Sequence, residues 1–353
     1  MSGRLETLKS QLAARGLVPR KALGQNFLID PNFARAVVAE AAVDVRTLVL
    51  EIGPGTGALT RAVLDASPHA RVLALELDHG LARLMREEFS AEIETRQLTL
   101  LEGDVLDGKH GVHRELIEEA LRISQEEARP RRVLCANLPY NVATPLLANL
   151  ALPLRVVEEE RNPSASVSSP STRATDGKSS PWHEGNGEVT RLVERAVATV
   201  QLELADRLLG RHGTNDYGPL AVLLALRARG GMVRKVGAEI FWPRPAVSSA
   251  VVALDYLPWQ DGTLKAEDAW DFQDFVQKLF QRRRKTLRAA LKIMGLLLDS
   301  SDPRASTRAE DLAPEELLNL FYGYRGNATR LTPPGPASDL GKRRAARGPA
   351  CVV

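Results

Sequence analysis

The chain has 353 residues, 44% of them hydrophobic, and a formal net charge of +3. The apolar content is enough for a sizeable core, and the length suggests about two domains. No apolar run reaches about 18 residues, so a membrane span is not expected, and the two cysteines, Cys135 and Cys351, make no disulfide framework.

The amino terminus carries charges but no apolar h-region, so a secretory signal is not expected. A cytoplasmic, reducing location fits the cysteine usage. No Cys/His cluster has zinc-site spacing, and no metal is expected. The modest positive charge permits a nucleic-acid partner without demanding one.

In chain order, Met1 to Arg20 reads as a short, charged, helical arm. Gly24, Gln25 and Asn26 form a polar turn between the apolar anchors Leu23 and Phe27-Leu28. Asp30-Pro31 reads as the N-cap and first residue of a helix running to about Ala42. Thr47 to Ile52 is a strand that passes directly into Glu51-Ile52-Gly53-Pro54-Gly55-Thr56-Gly57 and then into a helix from Ala58. Glycines at a strand-to-helix turn let a ligand approach the backbone and the helix N-terminus. The spacing is Gly-x-Gly-x-Gly, which counts against a nicotinamide cofactor. A glycine turn alone is weak evidence, because such turns also occur with no ligand.

Arg71 to Leu75 is the second strand and ends at Glu76. A carboxylate about 20 positions after a glycine turn is placed to accept from ribose hydroxyls, although a solvated strand-end carboxylate looks the same in sequence. Gln97 to Leu101 is the third strand, leading to Glu102-Gly103-Asp104. Asp104 is placed either to accept from an adenine amino group or to close an Asx turn. Arg132 to Ala136 is the fourth strand and delivers Asn137-Leu138-Pro139-Tyr140 to the same edge. Taken alone, this tetrad is equally a polar turn after a strand. Its chemistry is specific nonetheless. The Asn137 side-chain oxygen and the Leu138 carbonyl are two acceptors, Pro139 restricts where that carbonyl points, and Tyr140 offers a face on which a base can stack. Two acceptors grip the hydrogens of an exocyclic amine and hold its nitrogen toward an electrophile. Four strands that each bring one polar residue to one edge describe a pocket for an adenosine-containing cofactor with a reaction site beside it.

Thr144-Pro145 is expected to open a short helix to about Leu152. The segment from Glu158 to Glu188 is Ser/Pro-rich with almost no apolar residues, and should be disordered. Ala196 to Leu204 reads as a fifth strand, with a helix starting at Ala205. Leu220 to Leu226 is apolar. Phe241 to Ser249 is an irregular Pro-rich loop, and Val251 to Leu257 is a last strand. Phe241 is a candidate second stacking face opposite Tyr140, or an ordinary core aromatic. Helical periodicity returns from Asp268 through Phe272, Phe275, Val276, Leu279 and Phe280. The run Arg282-Arg283-Arg284-Lys285, with Arg288, is either a solvated face or the footprint of phosphate binding. Glu315 to Tyr322 is a final helix, and a basic, flexible tail follows from about Arg325.

The motifs Leu23 to Leu28, Glu51 to Gly57, Glu76-Leu77-Asp78, Gly103-Asp104, Asn137 to Tyr140, Phe241 to Ser248 and Arg282 to Thr286 occur in one order. Together they resemble the ribosomal RNA adenine N6,N6-dimethyltransferase family, most closely its bacterial small-subunit members, over roughly Gly16 to Tyr324. The resemblance implies an α/β fold: a Rossmann-like S-adenosylmethionine-dependent methyltransferase domain over 1–257, with the arm (1–20) and the insert (158–188). It also implies a smaller helical RNA-binding domain over 258–324, before the tail 325–353. By motif it places Asn26, Leu28, Gly53, Glu76, Asp104 and Asn137 at the cofactor. Asn137, Leu138, Tyr140 and Phe241 fall at the target base, and Arg282, Arg283, Arg284, Lys285 and Arg288 on RNA. The expected substrate is a pair of adjacent adenines in a hairpin near the 3′ end of 16S rRNA in the immature small subunit, and the expected state is a monomer.

Two features depart from the family pattern. One is the insert; the other is Gln201-Leu202-Glu203, where a cation often stands in the middle. The macrolide-resistance 23S rRNA N6-methyltransferases share the Asn-x-Pro-Tyr geometry, but the carboxyl-terminal helices and the Gly-Pro-Gly-Thr-Gly form favour the small-subunit reading. A non-catalytic assembly factor is the other alternative, and the intact set Glu76, Asp104, Asn137 and Tyr140 argues for an enzyme.

Overall fold

A computed structural model describes residues 2–108, 111–128, 131–154, 183–184, 188–189, 191–259 and 264–325. The expected flexible tail and nearly all of the expected disordered insert lie outside the described residues.

Helix α1 (Ser2–Ala14) leads through a turn to the short strand β1 (Phe27–Leu28). Helix α2 (Pro31–Ala41) begins where the sequence signals it. The Asp30 side chain accepts from the backbone N–H of Asn32 at 2.8 Å and of Phe33 at 3.3 Å, and Pro31 fills the first turn. There follow β2 (Thr47–Ile52), α3 (Ala58–Ala66), β3 (Arg71–Glu76), α4 (His79–Glu88), α5 (Ser90–Glu94) and β4 (Leu98–Glu102). A small hairpin of β5 (Leu106–Asp107) and β6 (Gly111–Val112) precedes α6 (Arg114–Glu126), β7 (Arg131–Asn137) and α7 (Tyr140–Leu150). The pair β8 (His183–Glu184) and β9 (Glu188–Val189) is antiparallel. Then come β10 (Arg195–Gln201), α8 (Leu202–Leu208), α9 (Pro219–Arg227), β11 (Ala228–Val236), β12 (Phe241–Trp242) and β13 (Ser249–Tyr256). Helices α10 (Ala269–Phe280), α11 (Leu287–Ile293) and α12 (Pro314–Arg325) complete the described chain.

Seven strands form the main sheet in the order β11-β13-β10-β7-β2-β3-β4. The run from β10 to β4 is parallel, and β13 lies antiparallel between β10 and β11. Every residue of β2 and β3 is buried. Burial on both faces explains why these strands read as continuous apolar runs instead of alternating. Val49, Val72, Val133 and Val197 face α2 and α3, where they meet Phe33, Val37 and Val63. Leu48, Leu50, Leu73 and Leu134 face the other way, and their apolar cluster runs on without a break into Phe272, Leu279, Leu317 and Phe321 of α10 and α12. The carboxyl-terminal helices are therefore packed on the sheet's own core. Tyr217 helps fasten them: its hydroxyl donates to the Leu312 carbonyl at 2.9 Å and its ring stands edge-on to Phe280 at 5.6 Å.

Three sequence expectations need correction. The fifth strand stops at Gln201, opposite Ser249, and the Leu202 N–H turns to the Ser248 carbonyl at 2.9 Å, so the helix begins at Leu202 and not at Ala205. Helix α7 begins at Tyr140, with Pro145 inside it; a proline this near the helix start removes only one backbone bond. Strand β11 was not anticipated. Its Gly230-Gly231 pair and its Arg and Lys residues carry little strand propensity, and pairing with β13 supplies the order. No described helix is long and apolar enough to cross a membrane.

The chain runs outward from β2 through β3 to β4 on one side, and from β7 to β10 on the other. The carboxyl ends of β2 and β7 therefore part at a topological switch point, which is where open α/β sheets hold ligands.

Candidate active site

The cleft at that switch point is lined by the glycine turn after β2, by Glu76 and Leu77 after β3, by Asp104 after β4, and by Asn137 to Val142 after β7. The amino-terminal turn Leu23–Leu28 closes one side, and Thr199, Phe241 and Ser249 close the other. β2 and β3 are buried to their last residues, β4 and the end of β7 are half-buried, and the polar residues at these ends line the cleft.

Gly53, Gly55 and Gly57 have φ of 67°, 59° and 77°, in the left-handed region. At Gly57 the requirement is also steric, since a Cβ there would lie 2.4 Å from the Phe89 ring. Glu76 braces the turn from the next strand. Its carboxylate accepts the Gly55 N–H at 3.0 Å and the Asp78 N–H at 2.9 Å. Burial raises its pKa, and the backbone donors oppose that shift. Beneath it, Glu51 is buried and accepts from the Thr60 hydroxyl at 2.6 Å. Burial, helped by the neighbouring Glu76, pushes the Glu51 carboxyl up to about 8. Glu51 is therefore mostly protonated at neutral pH.

Asp104 is exposed, and its Oδ1 accepts the Leu106 N–H at 3.0 Å. The Asx-turn reading of this residue is correct for Oδ1, while Oδ2 has no protein partner among the described residues. Asn26 is drawn in by its own turn, its Nδ2 donating to the Gly24 carbonyl at 3.1 Å. Leu28 is buried, and in the β1–β12 ladder it pairs with Phe241.

Asn137 Nδ2 donates to the Asn26 carbonyl at 3.0 Å. That bond fixes the orientation of the amide and leaves Oδ1 as an acceptor. The Leu138 N–H is tied to the Thr199 carbonyl at 3.1 Å. The Pro139 carbonyl accepts from both Val142 and Ala143 at 3.1 Å, so Tyr140 is the first residue of α7. The Tyr140 hydroxyl stands beside Ser249, which opposes the rise in pKa that burial causes. Phe241 lines the cleft, with the burial that the core-aromatic alternative expects. It is 4% exposed and stands edge-on to Phe33 at 6.4 Å. Its ring is thereby part of the cleft wall, and the Tyr140 ring lines the same cleft.

Sequence reasoning missed the residues that dock the amino-terminal turn. Gln25 Nε2 donates to Asp78 Oδ2 at 3.1 Å, and its own Oε1 accepts the Arg20 N–H at 2.7 Å. Asp78 also caps α4 through the Gly80 N–H at 2.9 Å. An Asp two residues past a strand, just before a helix, is a readable cap signal. The Gln25 partner, 53 residues away, is not.

The basic cluster divides. The Arg283 guanidinium pairs with Glu310 and donates to the carbonyls of Thr214 at 3.2 Å and Asn215 at 3.1 Å. Arg282 donates to the Lys278 carbonyl at 2.7 Å. Arg284, Lys285 and Arg288 are exposed.

A doubly wound sheet with one inserted antiparallel strand, a glycine turn over a buried carboxylate, and an oriented Asn before Pro-Tyr define a nucleoside-cofactor methyltransferase acting on an exocyclic amine. The model of the ribosomal RNA adenine dimethylase family matches residues 17–321, and the chain belongs to that family. It is an S-adenosylmethionine-dependent rRNA adenine dimethyltransferase. It is 32% identical over 328 residues to the ribosomal RNA small subunit methyltransferase A of Chlorobium luteolum, covering 93% of this chain and 95% of that one. The protein of the same name in Thermobifida fusca is 34% identical over 285 residues, 80% of this chain and 79% of that one. Among solved structures, a dimethyladenosine transferase from Plasmodium falciparum shares the fold, with a TM-score of 0.56 and 19% identity over 87% of this chain and 100% of that one. The residues present suit the cofactor: the Cβ-free glycine turn admits a close approach, and Glu76 lines the cleft from the next strand.

Proposed function

We propose that the chain dimethylates N6 of two adjacent adenines in a hairpin near the 3′ end of 16S rRNA, acting on the immature small subunit as a cytoplasmic monomer. The two curated small-subunit relatives support the substrate. The observation that carries the chemistry is the Asn137 amide, oriented by its 3.0 Å bond to the Asn26 carbonyl.

The bound cofactor supplies an activated methyl on a sulfonium, which leaves as the neutral thioether. Glu76 receives the ribose hydroxyls, Asp104 Oδ2 the adenine amino group, and the Gly53 turn the methionine part, with Asn26 and Leu28 alongside. The target adenine leaves its stack to enter the cleft. Tyr140 offsets part of that cost, since base–aromatic stacking is worth about 1–3 kcal/mol. Asn137 Oδ1 and the Leu138 carbonyl accept from the N6 amine and direct its lone pair at the methyl. The N6 proton passes to water after attack. Positioning of this kind can supply about 7–11 kcal/mol of a barrier. The helical region 258–324 serves as the RNA-binding part, through Arg284, Lys285 and Arg288, with Arg282 at its margin and Arg283 holding the cluster in place.

The test is methyl transfer from labelled cofactor to small subunits lacking the modification, followed by nucleoside mass spectrometry. N6,N6-dimethyladenosine in 16S rRNA is the expected product. Label in 23S rRNA alone assigns the chain to the resistance-type enzymes. No label, with tight subunit binding, assigns it to the assembly factors.

A further inference from the structure

We propose that Arg234, Lys235 and Arg244 form a basic lip at the cleft mouth that holds the phosphates of the RNA strand delivering the target adenine. The inference rests on the proposed function and adds a second RNA contact, separate from the α10–α11 cluster.

Arg234 and Lys235 are neighbours on β11, with side chains on opposite faces of the sheet, and Arg244 comes from the loop that follows; all three lie toward the same edge. Strand β11 runs parallel to β10, because each is antiparallel to β13. Its last residues therefore lie at the carboxyl edge that bears the cleft. Lys235 pairs with Ala250, and Val236 pairs with Ser249. Ser249 lines the cleft beside the Tyr140 hydroxyl. Arg244 lies in the loop between Phe241 and Ser249, both of which line the cleft. That loop is held to the end of β10 by the 2.9 Å bond from the Leu202 N–H to the Ser248 carbonyl. Arg234 reaches across to the ring of Phe33, its Cζ 5.3 Å from the centroid, and Phe33 supports Phe241.

All three side chains are exposed, and among the described residues none has an ion-pair partner. The acid on the same lip is Glu239, whose carboxylate folds back over its own turn, so that a Cβ on Gly237 would lie 2.2 Å from both oxygens. Glu203, which follows β10, is paired with Arg207 at 2.6 Å. The lip therefore keeps a net positive charge. The plainer reading is that Lys and Arg guard the exposed edge strand against pairing with other chains. It accounts for two residues of β11 but not for Arg244, which lies on no strand of the sheet. A flipped adenine enters the cleft while its flanking phosphates stay at the mouth, and unpaired cations there neutralise them.

The lip also bears on the sequence departure at Leu202. Leu202 packs against the apolar cluster and offers no cation, while the loop bonded to its backbone carries Arg244 instead.

The experiment compares the triple variant Arg234→Gln/Lys235→Gln/Arg244→Gln with the charge-keeping variant Arg234→Lys/Lys235→Arg/Arg244→Lys. Binding of a labelled hairpin RNA with two adjacent adenines is titrated against salt, and methyl transfer is measured on unmodified small subunits. In the triple variant, KM for the subunit should rise at least tenfold with kcat within about twofold. The slope of log affinity against log salt should become shallower by about 2, since each phosphate contact contributes about 0.7–0.9. Cofactor affinity and melting temperature should not move, and the charge-keeping variant should match wild type. An unchanged salt slope and KM overturn the lip. The salt slope reports on the lip even if wild type transfers no methyl, so failure of the lip and failure of the proposed reaction are separable.

Discussion

Asn137 Nδ2 donates to the backbone carbonyl of Asn26 at 3.0 Å, across 111 residues of chain. With the donor end of the amide committed, only the oxygen is left for the amine. Asn137→Ala should therefore lower kcat at least a hundredfold and change cofactor affinity by less than about fivefold, since the interaction belongs to the transition state. Asn137→Asp should do no better, because it sets a carboxylate against the Asn26 carbonyl. Survival of activity within about tenfold in single-turnover assays removes the acceptor role.

Glu76 supplies the carboxylate expected at the ribose. Glu76→Ala should weaken cofactor binding at least tenfold, about 1.4 kcal/mol, in titration calorimetry. Burial raises the Glu76 pKa, so wild-type affinity should also fall as pH drops through that raised value and the acceptor is protonated. Identical titrations for variant and wild type rule out the ribose assignment.

Glu51 carries the opposite consequence for stability. Its folded-state pKa is raised from an ordinary 4.5 to about 8, so the folded chain binds a proton that the unfolded chain has released. That contribution is fully present below about 4.5 and is lost as pH rises toward about 8. Glu51→Gln keeps an acceptor for Thr60 and removes the titration. Between pH 6 and pH 9 the variant should lose less melting temperature than wild type. Parallel curves for the two proteins contradict the buried-proton account.

Gly57 and Gly213 share a positive φ, 77° and 78°. A Cβ on Gly57 meets the buried Phe89 ring at 2.4 Å, whereas one on Gly213 meets nothing within 4 Å. Gly213→Ala should cost only the left-handed strain, about 1–2 kcal/mol. Gly57→Ala should cost about 2–4 kcal/mol, with overpacking added. Denaturant melts of the two variants measure the difference, and equal losses would mean that Phe89 yields.

Arg283 and Arg284 are adjacent but differ in their partners. Arg283→Ala leaves Glu310 with only its 3.7 Å contact to Arg308 and frees two carbonyls, and should cost about 1–3 kcal/mol of stability. Arg284→Ala should leave the melting temperature unchanged and reduce the salt slope of RNA binding by about 1. The reverse pattern would show that Arg283 is the phosphate ligand.

The sequence by itself determined where β2, β3 and β7 end and what stands on them. Leu48 to Leu50, Val72 to Leu75 and Val133 to Ala136 are apolar runs, and such runs have to be buried. The glycines, Glu76 and Asn137 that follow them are thereby brought to one edge. The Asp30 cap was equally legible, because a cap bonds within its own turn. Tertiary structure alone decided the rest. Whether Leu202 extends a strand or starts a helix depends on where β13 begins, and Gly230-Gly231 is a strand only because Leu254 and Ala253 lie opposite it. Arg283 and Arg284 are the same residue type in the same basic run, yet one meets Glu310 and the other meets solvent. Phe241 is buried because Phe33, from a distant helix, stands against its ring. Local geometry is set by neighbours in the chain, whereas the partner of a side chain is set by which distant surface folding brings to it.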